Sequence, residues 1–286
     1  MILFLDTETT GLKNPSMLQY AYILCDNSLN CIESGRSYVK PRKKIEEEAI
    51  KIHKITKEKA QRLGCTTNSA IKHLSKLISM SDTIVGHNVE FDIDVICNDA
   101  KAVKNEELLF NLRTKKLFCT MKESTDLLRI DKGDGSYKFP TLSELYRRLF
   151  QHDFANAHDA LSDVTATWKC YHELIRINYK RKICEQNIED IRKKYEGLVS
   201  PEMFNEITKQ TDQLITYSKN LLTKLSYDTC WIKELLVEET CNFIINEREK
   251  TEFQMGFILF EIKKGKKIIS ISANLTIEES VEFELG

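Results

Sequence analysis

An apolar run, Ile2-Leu3-Phe4-Leu5, leads directly into Asp6-Thr7-Glu8 and then a turn at Gly11. No other feature of the chain restricts its fold as much. A short continuous apolar run is a strand buried on both faces, and strand residues two apart project to one face. Asp6 and Glu8 therefore stand side by side where a buried strand ends. Carboxylates so placed repel each other unless cations neutralise them, and oxygen-rich clusters suit Mg2+ or Mn2+. The same two acids would also serve as an exposed strand end beside a glycine turn.

The following segments supply a sheet around that strand. Residues 18–24 and 32–39 read as two more strands, with Asp26-Asn27 at the turn between them. The basic stretch Lys40-Pro41-Arg42-Lys43-Lys44 comes next. It reads as a solvated loop, or as a guide for a charged strand backbone. Helical patterns cover 45–63 and 67–80. A short strand at 83–86 precedes a helix starting near Asn88, and another strand occupies 116–119. Helices near 121–129, 141–150 and 159–178 complete the region. Strands followed by alternating strands and helices indicate an α/β fold, a sheet covered by helices.

The pattern changes after about residue 178. Apolar residues recur at 184, 188, 191, 195 and 198, and after Ser200-Pro201 a 3,4 repeat runs through 204, 207, 211, 214, 218, 221 and 225. Thr211 and Ser218 interrupt that seam. Ser200 suits a helix N-cap and Pro201 the first helical position. An antiparallel helical pair is expected here, then a third helix at 231–247 and a β-hairpin formed by 253–262 and 267–273. Two domains result, 1–178 and a smaller α+β region at 179–286. The seam would pack internally, pair two copies as a homodimer, or bind a partner helix in a larger complex.

Composition excludes several classes. With 286 residues, 42% of them apolar and 30% charged, the chain has material for a substantial core and is not disordered as a whole. Lys plus Arg number 42 and Asp plus Glu 43, so no global basic field marks a nucleic-acid binder. The nine cysteines are scattered without a CxxC pair, which argues against a disulfide framework or zinc ribbon and for small hydrophobes in a reducing compartment. Neither a signal peptide nor an 18-residue apolar run is present. A soluble cytoplasmic protein without a membrane partner is expected.

Two further segments carry acids in notable positions. In Val85-Gly86-His87-Asn88-Val89-Glu90-Phe91-Asp92 a strand gives way to a helix with Asp92 in its first turns. An acid there also satisfies the helix dipole, and Asp94 would do so equally. In His158-Asp159-Ala160-Leu161-Ser162-Asp163 a histidine stands at the start of a long helix and an acid lies inside it. Taken singly, His158 reads as a cap or surface residue.

Taken together, the DTETTG strand, the HNVEFD step and the HxAxxD helix resemble the DEDDh family of 3′→5′ exonucleases, the group that contains bacterial proofreading exonucleases. Softer matches are Ile52-His53-Lys54-Ile55-Thr56, where Lys54 replaces the family's usual glycine, and Pro140-Thr141-Leu142-Ser143-Glu144-Leu145. The resemblance covers residues 1 to about 175 and implies a ribonuclease H-like fold, a mixed sheet flanked by helices. It implies Asp6, Glu8, Asp92 and Asp163 as ligands of two divalent ions, Mg2+ or Mn2+. His158 would be the general base that takes a proton from the attacking water, and nucleoside 5′-monophosphates would leave from a free 3′ end. It places Thr7, Thr9 and Leu12 against the terminal nucleotide, with Glu8 accepting from its 3′-OH. His87, Asn88 and Phe91 would meet the next nucleotide. The first motif is similar to the polymerase-associated branch, so DNA is expected ahead of RNA.

Overall fold

The computed structural model describes residues 1–155, 157, 159–213, 215, 233, 234, 236–238 and 240–242, and the backbone of 214, 216–224, 257–264 and 267–274. These residues divide into two compact units, Met1–Arg176 and Ile177–Gly286.

Strands β1 (Ile2–Thr9), β2 (Met17–Cys25) and β3 (Cys31–Tyr38) form an antiparallel meander. Asp26 closes the β2–β3 turn by accepting from the amides of Ser28 and Asn30. Helices α1 (Glu47–His53), α2 (Lys57–Leu63) and α3 (Thr67–Met80) follow, then β4 (Thr83–Gly86), α4 (Val89–Ala102), α5 (Glu106–Leu112) and β5 (Lys116–Cys119). The short helices α6 (Thr120–Glu123) and α7 (Thr125–Leu128) precede α8 (Leu142–Phe150) and α9 (Ala160–Lys194). The strand order is β3-β2-β1-β4-β5, with β4 parallel to both β1 and β5. This is the helix-covered α/β sheet that the pattern of segments predicts, with mixed strand directions.

Strand β1 lies in the middle of the sheet, and its alternation feeds two cores. Leu3 and Leu5, with Tyr20, Tyr22 and Leu24, pack under residues of α3, α4 and α5. Phe4, with Ala21, Ile23 and Val85, packs under Ala160, Val164 and Tyr171 of α9. All nine residues of β2 are buried, as expected of a strand covered on both faces.

Three helical expectations are corrected. The pattern over 45–63 resolves into α1 and α2, because Lys54 adopts a left-handed conformation at φ 58° and Thr56 caps α2 by accepting from the Lys59 amide. A β-branched pair, Ile55-Thr56, favours this extended break. The 121–129 pattern is likewise split, at Ser124, whose hydroxyl donates back to the Thr120 carbonyl. The helix expected to end near 178 continues to Lys194, since neither glycine nor proline occurs between 160 and 194. Helix α5 has no counterpart in the sequence reading, being too short at seven residues for its periodicity to register.

Within the second unit, α9 contributes Cys184, Ile188 and Ile191 to a cluster with Phe204 and Ile207 of α10 (Pro201–Lys224), joined by Val237 and Cys241. Ser200 Oγ accepts from the Met203 amide, so Ser200 and Pro201 open α10 as expected. The first part of the apolar seam is thus used internally. Strands β6 (Phe257–Lys264) and β7 (Lys267–Asn274) pair antiparallel as a hairpin. Much of the helix expected at 231–247 lies outside the described residues. Of the eight described cysteines five are buried. Among the described residues no helix is long and apolar enough to cross a membrane.

The basic stretch after β3 is more than a solvated loop. Arg42 turns inward to Asp99 of α4, and Lys43 donates to the Asn14 carbonyl. Asp99 is 0% exposed and also accepts from Ser16 Oγ and the Met17 amide, at 2.9 and 3.0 Å. This network fastens the β1–β2 loop to α4. Asp99→Ala strands a guanidinium, a hydroxyl and an amide at once. The loss expected in urea denaturation is about 3 kcal/mol, from the cost of breaking a buried pair and unpairing its partners.

Candidate active site

Asp6 and Glu8 share a sheet face with Phe4, the face covered by α9. Their cross-strand partners are Ala21 and Gln19. Asp163 lies in the first turn of α9. One carboxylate oxygen from each of Asp6, Glu8 and Asp163 lies within 4.8 Å of the other two. Three hard oxygen donors so close together match the ligand preference of Mg2+ or Mn2+.

Asp92 arrives from the opposite layer, and Thr7 is its point of attachment. Thr7 points away from the face of Asp6 and Glu8. The parallel pairing of β1 with β4 covers Ile2–Phe4 and stops short of Thr7. Asp92 takes over there. Its Oδ1 accepts from the Thr7 amide at 2.9 Å and from Thr7 Oγ1 at 2.7 Å. Asn88, left-handed at φ 75°, turns the chain from β4 into α4 so that Asp92 reaches the strand end.

The electrostatics are those of acids lacking counter-charge. Burial, then the charges of Asp92, Asp163 and Glu8, hold the Asp6 carboxyl well above the usual carboxylate range. Burial and the charges of Asp163, Asp92 and Asp159 push Glu8 up to about 8. Asp92 is raised to about 7 by burial, against the opposing pull of its Thr7 hydrogen bonds. These residues fit divalent cations, which would replace the retained protons.

The other residues singled out in the sequence take varied places. His158 lies outside the described residues. Leu12 is 81% exposed and Asn88 is also exposed, both free to meet a ligand. Thr9 is buried, its hydroxyl donating to the Gly11 carbonyl. Phe91 packs partly buried against the main core. Both ring nitrogens of His87 are engaged within the protein. Nε2 donates to the Pro140 carbonyl at 2.9 Å, so Nδ1 accepts from Thr120 Oγ1 at 3.0 Å. Burial lowers the His87 pKa to about 4, so it is a neutral brace between β4 and the segment before α8.

Several residues near the acids had no role assigned from the sequence. His53 Nδ1 accepts from the Ile55 amide, which leaves Nε2–H to donate to the Thr9 carbonyl. Its IHKIT context was the available signal. Gln19, 2% exposed and directly across from Glu8, has an Nε2 with no hydrogen-bond partner among the described residues. Arg36 of β3 pairs with Asp159 at 2.5 Å. No local pattern marks Gln19 or Arg36, because their neighbours, Glu8 and Asp159, come from distant parts of the chain.

A family model described as exonuclease matches residues 3–171. The chain belongs to that family. It is of the DEDDh 3′→5′ type, with all five motif positions inside the match. The exonuclease is 28% identical over 208 residues to DNA polymerase III subunit epsilon of Buchnera aphidicola subsp. Schizaphis graminum, covering 67% of this chain and 81% of that protein. Its fold is similar to E. coli exonuclease I in complex with a dT13 oligonucleotide, with TM-score 0.53 and 24% identity over 64% of this chain and 42% of that one. A zinc-bound form of the E. coli enzyme with single-stranded DNA matches at TM-score 0.51 and 22% identity, over 70% of this chain and 45% of that one. The chain thus spans less than half the length of these solved structures. The likeness extends the mixed sheet to the ribonuclease H-like fold.

The raised carboxyls have a consequence for stability. Unfolded, these acids release their protons near pH 4, whereas the folded site keeps some until pH 7–8. Their stabilising contribution is complete below about pH 4 and is lost as pH rises through the folded values. In EDTA the melting temperature should fall between pH 5 and 8.5. Mg2+ or Mn2+ should recover the loss, with a larger upward shift at higher pH. A scan of melting temperature against pH, with and without metal, checks both trends.

Proposed function

We propose that this chain is a metal-dependent 3′→5′ exonuclease that removes nucleoside 5′-monophosphates from the 3′ end of nucleic acid, with DNA preferred over RNA. The observation that carries the reading is the convergence of Asp6, Glu8 and Asp163 within 4.8 Å, inside a domain of the exonuclease family. The DNA preference is supported by the DTETTG segment and by the relative that is a DNA polymerase subunit.

Asp6, Glu8, Asp92 and Asp163 would hold two divalent ions, Mg2+ or Mn2+. When bound, the ions stabilise negative charge growing on the attacking and leaving oxygens of a phosphodiester. Glu8 accepts from the terminal 3′-OH. Exposed Leu12 packs against the terminal nucleotide, and the backbone of Thr7 and Thr9 frames it. Asn88 meets the adjacent nucleotide, while His87 and Phe91 set the wall behind it. His158 is the general base, taking the proton from the attacking water. An imidazole with a pKa near 6.5 suits that task near neutral pH.

The test uses the full chain with 5′-labelled single-stranded DNA and RNA. Products should shorten stepwise from the 3′ end, a 3′-phosphate should slow the reaction, and EDTA should abolish it until Mg2+ or Mn2+ is restored. Asp6→Asn should remove activity. His158→Ala should lower kcat by roughly 10²–10⁴-fold, the usual contribution of a general base, with Mn2+ affinity nearly unchanged. Hydrolysis of closed circular strands, or full activity without metal, contradicts the proposal.

Residues 179–286 are proposed as the part that ties the nuclease to a polymerase-like complex or to a second copy. The subunit status of the Buchnera relative supports this. Light scattering after size exclusion should give a dimer mass if the seam pairs two copies, and a monomer mass if it awaits another protein.

A further inference from the structure

Asp6, Ala21 and Arg36 lie on one rung across β1, β2 and β3. Residues directly opposite on neighbouring strands project to the same face. Strands are spaced about 4.8 Å apart, so the Arg36 backbone is roughly 10 Å from that of Asp6, on the face covered by α9. From there Arg36 Nη1 reaches Asp159 Oδ2 at 2.5 Å.

Asp159 organises the start of α9. Its Oδ1 accepts from the Leu161 amide at 3.2 Å and the Ser162 amide at 3.4 Å. Its carbonyl accepts from the amide of Asp163 at 2.9 Å. It also directly follows His158 in the chain. The turn that carries Asp163 is thereby tied to the rung that carries Asp6. The tie opposes a repulsion, because Asp159 and Asp163 face Asp6 and Glu8, and all four are acids.

We propose that Arg36 and Asp159 are positioning residues for the exonuclease reaction, a latch that fixes the first turn of α9, and with it Asp163, against Asp6. The proposal rests on the exonuclease reading above. Neither side chain touches the reacting atoms. With 43% and 36% of their side chains exposed, the pair adds little to global stability. Its effect is on geometry.

A pure field effect makes the opposite prediction for one of the two partners. Arg36→Met makes the site more negative and Asp159→Asn makes it less negative. Through the field alone, Mn2+ affinity would rise in the first and fall in the second. Through a latch it falls in both. Asparagine caps a helix about as well as aspartate, so Asp159→Asn loses the ion pair and keeps the cap.

The experiment measures Mn2+ affinity and single-stranded DNA hydrolysis on the full chain. Arg36→Met and Asp159→Asn should each weaken Mn2+ binding and lower kcat by about tenfold, as small misplacements of reacting groups do. KM and melting temperature should change little. The double variant should be no worse than either single one, and Arg36→Lys should recover part of the loss. Wild-type kcat and Mn2+ affinity in Arg36→Met, opposite signs in the two variants, or additive losses in the double would overturn the latch. If Arg36→Met does not fold, Asp159→Asn decides, and wild-type behaviour in it overturns the proposal. The Mn2+ measurement stands without catalysis, so a wild type that hydrolyses nothing would sink the exonuclease reading while the latch is still judged.

Discussion

Repulsion among buried carboxylates is the constraint around which the first unit is arranged. Two full charges about 5 Å apart cost roughly 3 kcal/mol at an effective dielectric near 20, and Asp6 has four acidic neighbours besides its own burial. A flexible chain would relieve that repulsion by moving the acids apart. Here β1 sits in the middle of a five-stranded sheet with helical cores on both faces, so the carboxylates cannot separate. Protons, or divalent cations, are the remaining way to neutralise them. The rigidity of the sheet thus makes an unfavourable cluster one that a cation would relieve.

The two layers contribute differently. Asp6, Glu8 and Asp163 meet on the α9 face, while Asp92 enters from the α4 side through Thr7. Thr7 stands between the two acids in sequence yet points to the opposite layer, so a single strand end links both. Around this centre, His53, His87 and Asp99 use hydrogen bonds to hold the loops that follow β1 and β4. Each bonds a backbone group, the Thr9 carbonyl, the Pro140 carbonyl and the Met17 amide. Leu12 and Asn88 are thereby presented outward from a fixed frame.

Much of the sheet was legible because its signals are local. The strands at 83–86 and 116–119 and the helix at 67–80 match the observed β4, β5 and α3. Apolar periodicity and nearby turn residues suffice for such segments. The failures occur where a single residue overrides a periodic pattern. Lys54 in a left-handed conformation divides one predicted helix into α1 and α2, and turns His53 toward Thr9. The basic run at 40–44 likewise looked solvated, because its buried acceptor, Asp99, is more than fifty residues away in the chain.

The sequence by itself determined the central strand, the side-by-side acids at its end and the family motifs, since all of these depend on spacings of a few residues. Only the tertiary structure decided which acids share a layer, that Thr7 carries Asp92, and that Gln19 and Arg36 stand beside the site. Those facts depend on strand register and on which helix covers which face. Register is set by the packing of both faces at once, and no short stretch of sequence contains that information.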